Sequence, residues 1–173
     1  MTILPHDLSF RDALSAMDQM PIIAALKKRY AEPWRHYHNE LHLTEIRNHL
    51  LTAEQDGITI KDGAAAYAFV LWHDAVYDPQ ATHGRNETMS AQLCSNEFGA
   101  IASITSRFNA CDAIIATISH NCEWVDSNPD TPLLLDCDLA ILAADPERFS
   151  AYDAAIRKEY FHVPESVYQT KRR

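Results

Sequence analysis

The chain has 173 residues, the size of one ordinary domain, and 47% of them are hydrophobic and 23% charged, as in a globular protein. Its 24 acidic and 15 basic residues give a formal charge of −9, which disfavours general nucleic-acid binding because phosphate backbones are held by lysine and arginine. A small phosphorylated substrate is compatible with this charge, because a bound divalent metal reverses the local field.

The N-terminal segment predicts a cytoplasmic location. It begins MTILPHDLSFRDAL, which has neither the basic region nor the long apolar region of a secretory signal. No stretch of the sequence approaches the roughly 18 continuous apolar residues of a membrane span, so we expect no membrane partner.

The first predicted helices follow from apolar residues at three- and four-residue steps. Pro21 can occupy the first turn of a helix over IIAALKKRYAE, which Pro33 interrupts. A second helix is predicted from about Tyr37–Asn39 to Glu54. Asp62 is the predicted N-cap of a third helix, GAAAYAFVLWHDAVY, which is apolar on nearly every face and is therefore expected to be central and buried.

The second half of the chain continues the helical pattern. After the loop DPQATHGRNE, helices are predicted over about NETMSAQLCSNEFG and RFNACDAIIATIS. PLLLDCDLAIL reads as a short apolar helix, and Pro146 begins a last helix that runs to about Tyr160. No stretch alternates long enough to form a sheet. The sequence therefore predicts an all-α bundle of about six to eight helices in a single domain, residues 1–173.

Four polar residues lie in or beside these apolar helices. His38 and His42 are four residues apart, a spacing that puts two imidazoles on one face of a helix. His73 and Asp74 come at the end of the most apolar helix, where charged side chains are rarely buried without a partner or a metal. We interpret all four residues as parts of one polar site. The alternatives are that the first two are exposed histidines on a helix, and that the last two form hydrogen bonds with backbone groups at the end of a helix.

Asp136 and Asp138 repeat this pattern inside the apolar run LLLDCDLAIL. Residues two apart do not share a face of a helix, so one carboxylate can reach a site while the other points elsewhere. The histidines and aspartates together form a mixed nitrogen and oxygen ligand set. Such a set suits Mn²⁺, Fe²⁺, Co²⁺, Ni²⁺ or Zn²⁺, and Mg²⁺ less well because of the two imidazoles.

The order H…HD…D on separate helices resembles the HD superfamily of metal-dependent phosphohydrolases. Within it, RHYHNELH is similar to the YHNxxH segment of the cyclic-nucleotide phosphodiesterases. Segments that cover most of the chain resemble, in order, a bacterial group of predicted HD phosphohydrolases: RYAEPWRHYHNELH, FVLWHDAVYDP, RNETMSA, IIATISH, LLDCDLAIL and AIRKEYFHVPESVY.

The resemblance implies a role for each residue of the motif. It implies four metal ligands, His42, His73, Asp74 and Asp138. Asp138 is preferred to Asp136 because the last aspartate of the superfamily motif is usually followed by a hydrophobic or basic residue, as in CDLAIL. By the same resemblance, His38 is the proton donor of the reaction.

Other charged residues near the motifs are candidates for catalysis and substrate binding. Asp74 can also accept the proton of the attacking water, and Glu87 corresponds to acids that assist there in several relatives. His120, at the end of a predicted helix, is expected to line the site. Arg35 and Arg85 can hold a substrate phosphate through their planar guanidinium groups. For Glu87 and His120, the alternative is that each only interacts favourably with the dipole of its helix. For the two arginines, the alternative is an exposed and solvated position on the surface.

These expectations favour the hydrolysis of a phosphate monoester or diester, with a nucleotide as one candidate substrate. The resemblance leaves two alternatives, because HD folds also host di-iron oxygenases and a metal can serve only to stabilise a ligand-binding module. We expect a divalent metal as cofactor and a small phosphorylated compound as partner, and we allow for a homodimer.

Overall fold

Helices form most of the part of the chain that the structure describes. The structure is a computed structural model, and it describes residues 3–5, 7–121 and 128–171. Within these residues it contains nine α-helices and no sheet, which confirms the predicted all-α class. The helices are α1 (Phe10–Met17), α2 (Pro21–Tyr30), α3 (Glu40–Gln55), α4 (Gly63–Trp72), α5 (Arg85–Glu97), α6 (Ile104–Ala116), α7 (Thr131–Asp138), α8 (Pro146–Glu159) and α9 (Glu165–Lys171). None of these described helices is long and apolar enough to cross a membrane.

Helix α4 is central because it is apolar on every side. All 10 of its residues are buried, and it packs against α1, α2, α3, α5 and α6. Its N-terminus is capped as the sequence predicts, since the carboxylate of Asp62 accepts a hydrogen bond from the N–H of Ala65 at 2.9 Å. The helix therefore fixes the position of whatever follows its last turn.

The C-terminal end of α4 comes earlier than predicted. The predicted helix ran through GAAAYAFVLWHDAVY, but α4 ends at Trp72 and His73 is its C-cap. Tyr30 and Arg35 donate hydrogen bonds to three backbone carbonyls at this end, those of Leu71, Asp74 and Ala75. Because side chains satisfy these carbonyls, the chain can leave the helix here without losing hydrogen bonds.

Helix α3 begins later than predicted. Its N-cap is Asn39, whose side chain accepts a hydrogen bond from the N–H of Leu41 at 2.9 Å. His38 therefore lies in the turn before the helix, and the prediction that it shares a helical face with His42 is wrong. The two rings are nevertheless neighbours, with centroids 6.0 Å apart.

Other boundaries also differ from the predicted ones. The short helices α1 and α9 were not predicted. Helix α6 begins at Ile104, with Ser103 as its N-cap, and ends at Ala116. The residues that follow it, up to His120, form turns. Two 3₁₀ segments, one of them at residues 139–143, follow α5 and α7. Residues 122–127, which make up most of the predicted loop CEWVDSNPDTP, lie outside the described residues.

Two groups of buried side chains hold the helices together. The larger group surrounds α4 and includes side chains from α1 to α7. The smaller group joins the segment before α3 to the C-terminal helices and consists of Tyr37, Ile141, Ile156 and Tyr168. The smaller group thus places α8 beside the turn that contains His38.

Gly63→Ala should destabilise the protein, because α4 begins in direct contact with the segment before α1. A Cβ atom at Gly63 would lie 2.5 Å from the backbone nitrogen of Phe10 and would also clash with the carbonyl carbon of Ser9. We expect the free energy of unfolding to fall by about 1–3 kcal/mol, the usual cost of overpacking, as measured by urea denaturation. Gly99→Ala is the control, because its Cβ would meet the movable side chain of Arg107. An equal loss in both variants would contradict this account.

Candidate metal centre

Three side chains from three helices meet inside the bundle. His42 lies in the first turn of α3, His73 caps the end of α4, and Asp138 is the last residue of α7. Both histidines are buried, and one ligand atom from each of the three residues lies within 4.8 Å of the others. This group, the His42–His73–Asp138 cluster, can therefore hold a metal ion.

The distances in the cluster match those between ligands of a single ion. Nε2 of His42 lies 3.3 Å from Nε2 of His73 and 3.0 Å from Oδ1 of Asp138. Nε2 of His73 lies 3.6 Å from the same oxygen. Ligand atoms held about 2.0–2.2 Å from a divalent ion are roughly 3.0–3.5 Å from one another. The donor atoms therefore fit a divalent ion in both type and spacing.

The backbone of α4 orients the imidazole of His73. Its Nδ1 faces the carbonyl oxygens of Phe69 and Val70 at 3.2 and 3.3 Å. Because a carbonyl oxygen only accepts hydrogen bonds, Nδ1 carries a proton and the neutral ring presents the lone pair of Nε2 to the cluster. A hydrogen bond on the second ring nitrogen is the usual means of fixing a metal-ligating histidine.

Asp74 lies beside the cluster and adds negative charge to it. Its Oδ2 is 3.2 Å from Nε2 of His73 and 4.0 Å from Nε2 of His38. Burial would raise the pKa of Asp74, but the two histidines outweigh burial and hold it below its usual range. Burial also opposes the charged form of His73, yet Asp74 and Asp138 raise its pKa to about 9. The two carboxylates thus stabilise positive charge here, which a proton or a metal ion can supply.

The two aspartates of α7 have different environments. The side chain of Asp138 is only 12% exposed and contacts His42 and His120 at 3.0 and 3.1 Å, whereas Asp136 is exposed on the helix surface. Burial would raise the pKa of Asp138, but hydrogen bonds from His120 and His42 hold it well below its usual range. Asp138, rather than Asp136, is therefore the carboxylate available to the cluster.

A buried carboxylate that was not predicted from the sequence holds His38 in place. Glu159, the last residue of α8, accepts hydrogen bonds from the backbone N–H groups of Tyr37 and His38 at 2.7 and 3.0 Å. Its other oxygen lies 2.6 Å from Nδ1 of His38 and accepts a hydrogen bond from the hydroxyl of Tyr77 at 2.7 Å. An acid in the last turn of a helix opposes the helix dipole, and this is the sequence signal that could have identified it.

Glu159 determines which nitrogen of His38 faces the site. Because Nδ1 donates to the carboxylate, Nε2 points toward Asp74 and the cavity beside it. Burial lowers the pKa of His38, but Asp74 and then Glu159 outweigh burial and raise it above the usual value. The protonated ring is therefore favoured, with its Nε2–H directed into the site.

Arg35 has a different position from the predicted one. Its side chain is fully buried, and its Nε donates to Glu32 at 2.9 Å. Its Nη1 donates to the carbonyls of His38 and Asp74 at 3.1 and 2.7 Å, and the ring of Tyr77 covers the guanidinium. Arg35 is therefore a structural residue that joins the turn before α3 to the end of α4, and a substrate phosphate cannot reach it.

The remaining predicted residues lie at or near a cavity of about 240 Å³, the site cavity, which the cluster also lines. Glu87 and His120 line it, and Nε2 of His120 lies 3.1 Å from Oδ2 of Asp138. The φ angle of His120 is 48°, a left-handed conformation that is uncommon outside glycine. Arg85 is exposed at the start of α5 and is not among the residues that line the cavity, so its role in substrate binding stays a prediction.

No protein-family model matches the chain, and no curated protein or solved structure matches it. The resemblance to the HD superfamily therefore stays a prediction from the motifs. What the chain does has to be inferred from the geometry and chemistry of the site itself.

Asp138→Asn should weaken metal binding, because it removes the charged oxygen that faces His42 and His73. Loss of a residue that only supports a ligand costs about 10–100-fold in metal affinity, and we expect at least that loss here. The measurement is calorimetric titration of metal-free protein with Mn²⁺ or Zn²⁺. Asp136→Asn makes the same charge change two residues away and should bind metal as the wild type does. Wild-type affinity in Asp138→Asn would contradict the proposed ligand.

Glu159→Gln should make the free energy of unfolding depend less on pH in the acidic range. Burial would raise the pKa of Glu159, but its hydrogen bonds with His38, Tyr37 and Tyr77 lower it from 4.5 to about 2. The stability that this carboxylate contributes is therefore complete above the unfolded-state pKa and is lost as the pH falls toward the folded-state value. Wild type should thus lose more unfolding free energy than the variant between about pH 5 and pH 2 in urea titrations.

Glu147→Gln, an exposed carboxylate of the same helix, is the control for this experiment and should have a profile parallel to that of the wild type. If the profile of Glu159→Gln also ran parallel to that of the wild type, the carboxylate of Glu159 would not be held ionised by its neighbours.

Proposed function

We propose that this chain is a metal-dependent phosphohydrolase that hydrolyses a phosphate monoester or diester. The observation that carries the proposal is that one cavity is lined both by a cluster able to hold a metal and by His38, an imidazole held by a buried carboxylate. The resemblance of the motifs to the HD superfamily supports the same activity. The proposed partner is a small phosphorylated compound.

The proposed metal ligands are His42, His73 and Asp138, with Asp74 as a fourth. Asp74 lies outside the tightest group, but its Oδ2 is only 3.2 Å from Nε2 of His73. Two imidazoles and two carboxylates suit Mn²⁺, Fe²⁺, Co²⁺, Ni²⁺ or Zn²⁺. When bound, such an ion lowers the pKa of a water molecule and neutralises phosphate charge.

Acidic side chains of the site cavity receive the proton of the attacking water. Asp74 lines the cavity and is held ionised by His73 and His38, so it can accept a hydrogen bond from the water and orient it. Glu87 lines the same cavity and assists in removing the proton. Each carboxylate can take up that proton only in its ionised form.

His38 donates a proton to the leaving oxygen. Its Nδ1 is occupied by Glu159, so the proton on Nε2 is the one presented to the cavity. Burial lowers the pKa of His38, but the carboxylates of Asp74 and Glu159 raise it above its usual value, which favours the protonated ring that a general acid requires. A module that used metal only for stability would have no need of this buried His–Glu pair, which favours an enzyme over a binding module.

A di-iron oxygenase is the second candidate, because one observation favours it. His120 contacts Oδ2 of Asp138, the oxygen that does not face His42, so Asp138 can offer one oxygen to each of two ions. Protein loaded anaerobically with Fe²⁺ distinguishes the two functions. Two irons per chain with an oxygen-dependent change in the absorption spectrum, and no phosphate release from any ester, would favour the oxygenase.

His38→Ala should slow hydrolysis most for esters whose leaving group needs a proton. An alkyl phosphate leaves as a basic alkoxide, so we expect kcat to fall by about 10²–10⁴-fold, as for loss of a general acid. A 4-nitrophenyl ester leaves as a stable anion and should lose far less. The measurement is steady-state kinetics of the Mn²⁺-loaded protein on the two esters.

Two further variants complete this test. Glu159→Gln should show the same selective loss, because it acts through His38, and should keep wild-type affinity for Mn²⁺. His36→Ala, an exposed histidine two residues away, should leave both esters unaffected. Equal losses on the two esters in His38→Ala would contradict the general-acid role, and metal-loaded wild type that hydrolysed no ester would contradict the proposed function.

A further inference from the structure

Two free cysteines lie where α5 packs against α6, away from the metal cluster. Cys94 is near the end of α5 and is fully buried, whereas Cys111 on α6 is partly exposed. The thiol of Cys111 donates a hydrogen bond across the interface to the carbonyl oxygen of Ala91, with Sγ 3.4 Å from that oxygen. The side chain of Cys111 is therefore directed toward α5.

The position of Ala91 explains why the two sulfur atoms meet. A side chain on a helix leans toward the N-terminus, over the carbonyls three and four residues earlier. The side chain of Cys94 therefore lies over the turn that contains Ala91, which is the turn that the thiol of Cys111 contacts. Consistent with this placement, the thiols of Cys94 and Cys111 form a hydrogen bond with each other.

The two thiols differ in acidity as well as in access. The hydrogen bond from Cys94 lowers the pKa of Cys111, and the charge of Arg107 acts in the same direction, against burial and Asp112. The same hydrogen bond, together with burial, raises the pKa of Cys94. Because the thiolate is the form of cysteine that reacts with oxidants, Cys111 is the member of the pair that an oxidant attacks first.

We propose that Cys94 and Cys111 form a modification site at which a peroxide produces a reversible disulfide between α5 and α6. The inference is independent of the proposed function, because neither cysteine lines the site cavity or belongs to the metal cluster. A partly exposed thiol that contacts a second, buried thiol is the arrangement of a redox-sensing cysteine with its resolving partner.

The reaction balances with hydrogen peroxide as the oxidant. The thiolate of Cys111 attacks one oxygen, the O–O bond breaks, hydroxide leaves, and Cys111 becomes a sulfenic acid. The sulfur of Cys94 then attacks the sulfur of Cys111, the S–O bond breaks, and the oxygen leaves as water with the proton of Cys94. The pair loses two electrons and two protons, and the peroxide is reduced to water. An added dithiol reverses the reaction by thiol–disulfide exchange.

The disulfide would join α6 to a helix that contributes to the site cavity. Glu87, in the first turn of α5, lines that cavity. Ser90, one turn before Cys94, accepts a hydrogen bond from the backbone N–H of Val76 at 3.0 Å, in the segment that follows α4. Oxidation would therefore fix the helix that carries both of these groups.

Peptide mapping of the oxidised wild-type protein tests the inference directly. Native protein is treated with hydrogen peroxide, its remaining thiols are alkylated in denaturant, and it is digested with trypsin and Asp-N without reduction. We expect residues 86–107 to be linked by a disulfide to residues 108–111, and the linked peptide to disappear after incubation with dithiothreitol. Alkylation of Cys94 and Cys111 should fall by equal amounts. Oxidation of Cys111 without this link, or no oxidation of either residue, would overturn the inference.

Substitution of each thiol tests the order of the two steps. In Cys111→Ser, alkylation of Cys94 should not fall, because peroxide does not reach a fully buried thiol directly. In Cys94→Ser, Cys111 should remain a sulfenic acid that dimedone labels. Cys137→Ser is the matched control on α7 and should form the linked peptide as the wild type does. Equal loss of the Cys94 thiol in wild type and Cys111→Ser would contradict the assignment. If Cys94→Ser failed to fold, the wild type and Cys111→Ser would still decide it.

Discussion

Two imidazole nitrogens face each other at 3.3 Å between two carboxylates, and the rest of the site depends on this arrangement. Facing lone pairs and close carboxylates repel each other unless a positive charge lies among them. Both histidines are almost fully buried, so bulk water screens this repulsion only weakly. Burial opposes a charge on His73, but the carboxylates of Asp74 and Asp138 raise its pKa and so favour a positive charge at this point. A divalent ion would meet the same need with four ligands at once.

The turn that contains His38 is held by two buried charges of opposite sign. Arg35 donates to the backbone carbonyl of His38, and Glu159 accepts from both its backbone N–H and its ring. The same two residues bind other parts of the site, since Arg35 also contacts the carbonyl of Asp74 and Glu159 the hydroxyl of Tyr77. Each charge is fully buried but satisfied, so it orders the site instead of destabilising it.

The sequence predicts those residues that differ in polarity from their neighbours along the chain. The helical period identifies most helices. Polar residues inside apolar runs identify His73, Asp74 and the pair Asp136 and Asp138, because burial of such groups requires a partner. The resemblance of the motif then favours Asp138 within that pair. Contacts between distant segments are not visible in this way. Glu159 meets His38 from 121 residues away, and Arg35 reaches the carbonyl of Asp74 from 39 residues away. For that reason Glu159 was missed and Arg35 was assigned to substrate binding.

Anomalous diffraction from crystals of Mn²⁺-loaded protein tests the central claim most directly, because it locates the ion without any assumption about the substrate. The account predicts a peak about 2.0–2.3 Å from Nε2 of His42, Nε2 of His73 and an oxygen of Asp138. A peak away from these three atoms, or no peak while the three side chains keep their positions, would contradict it.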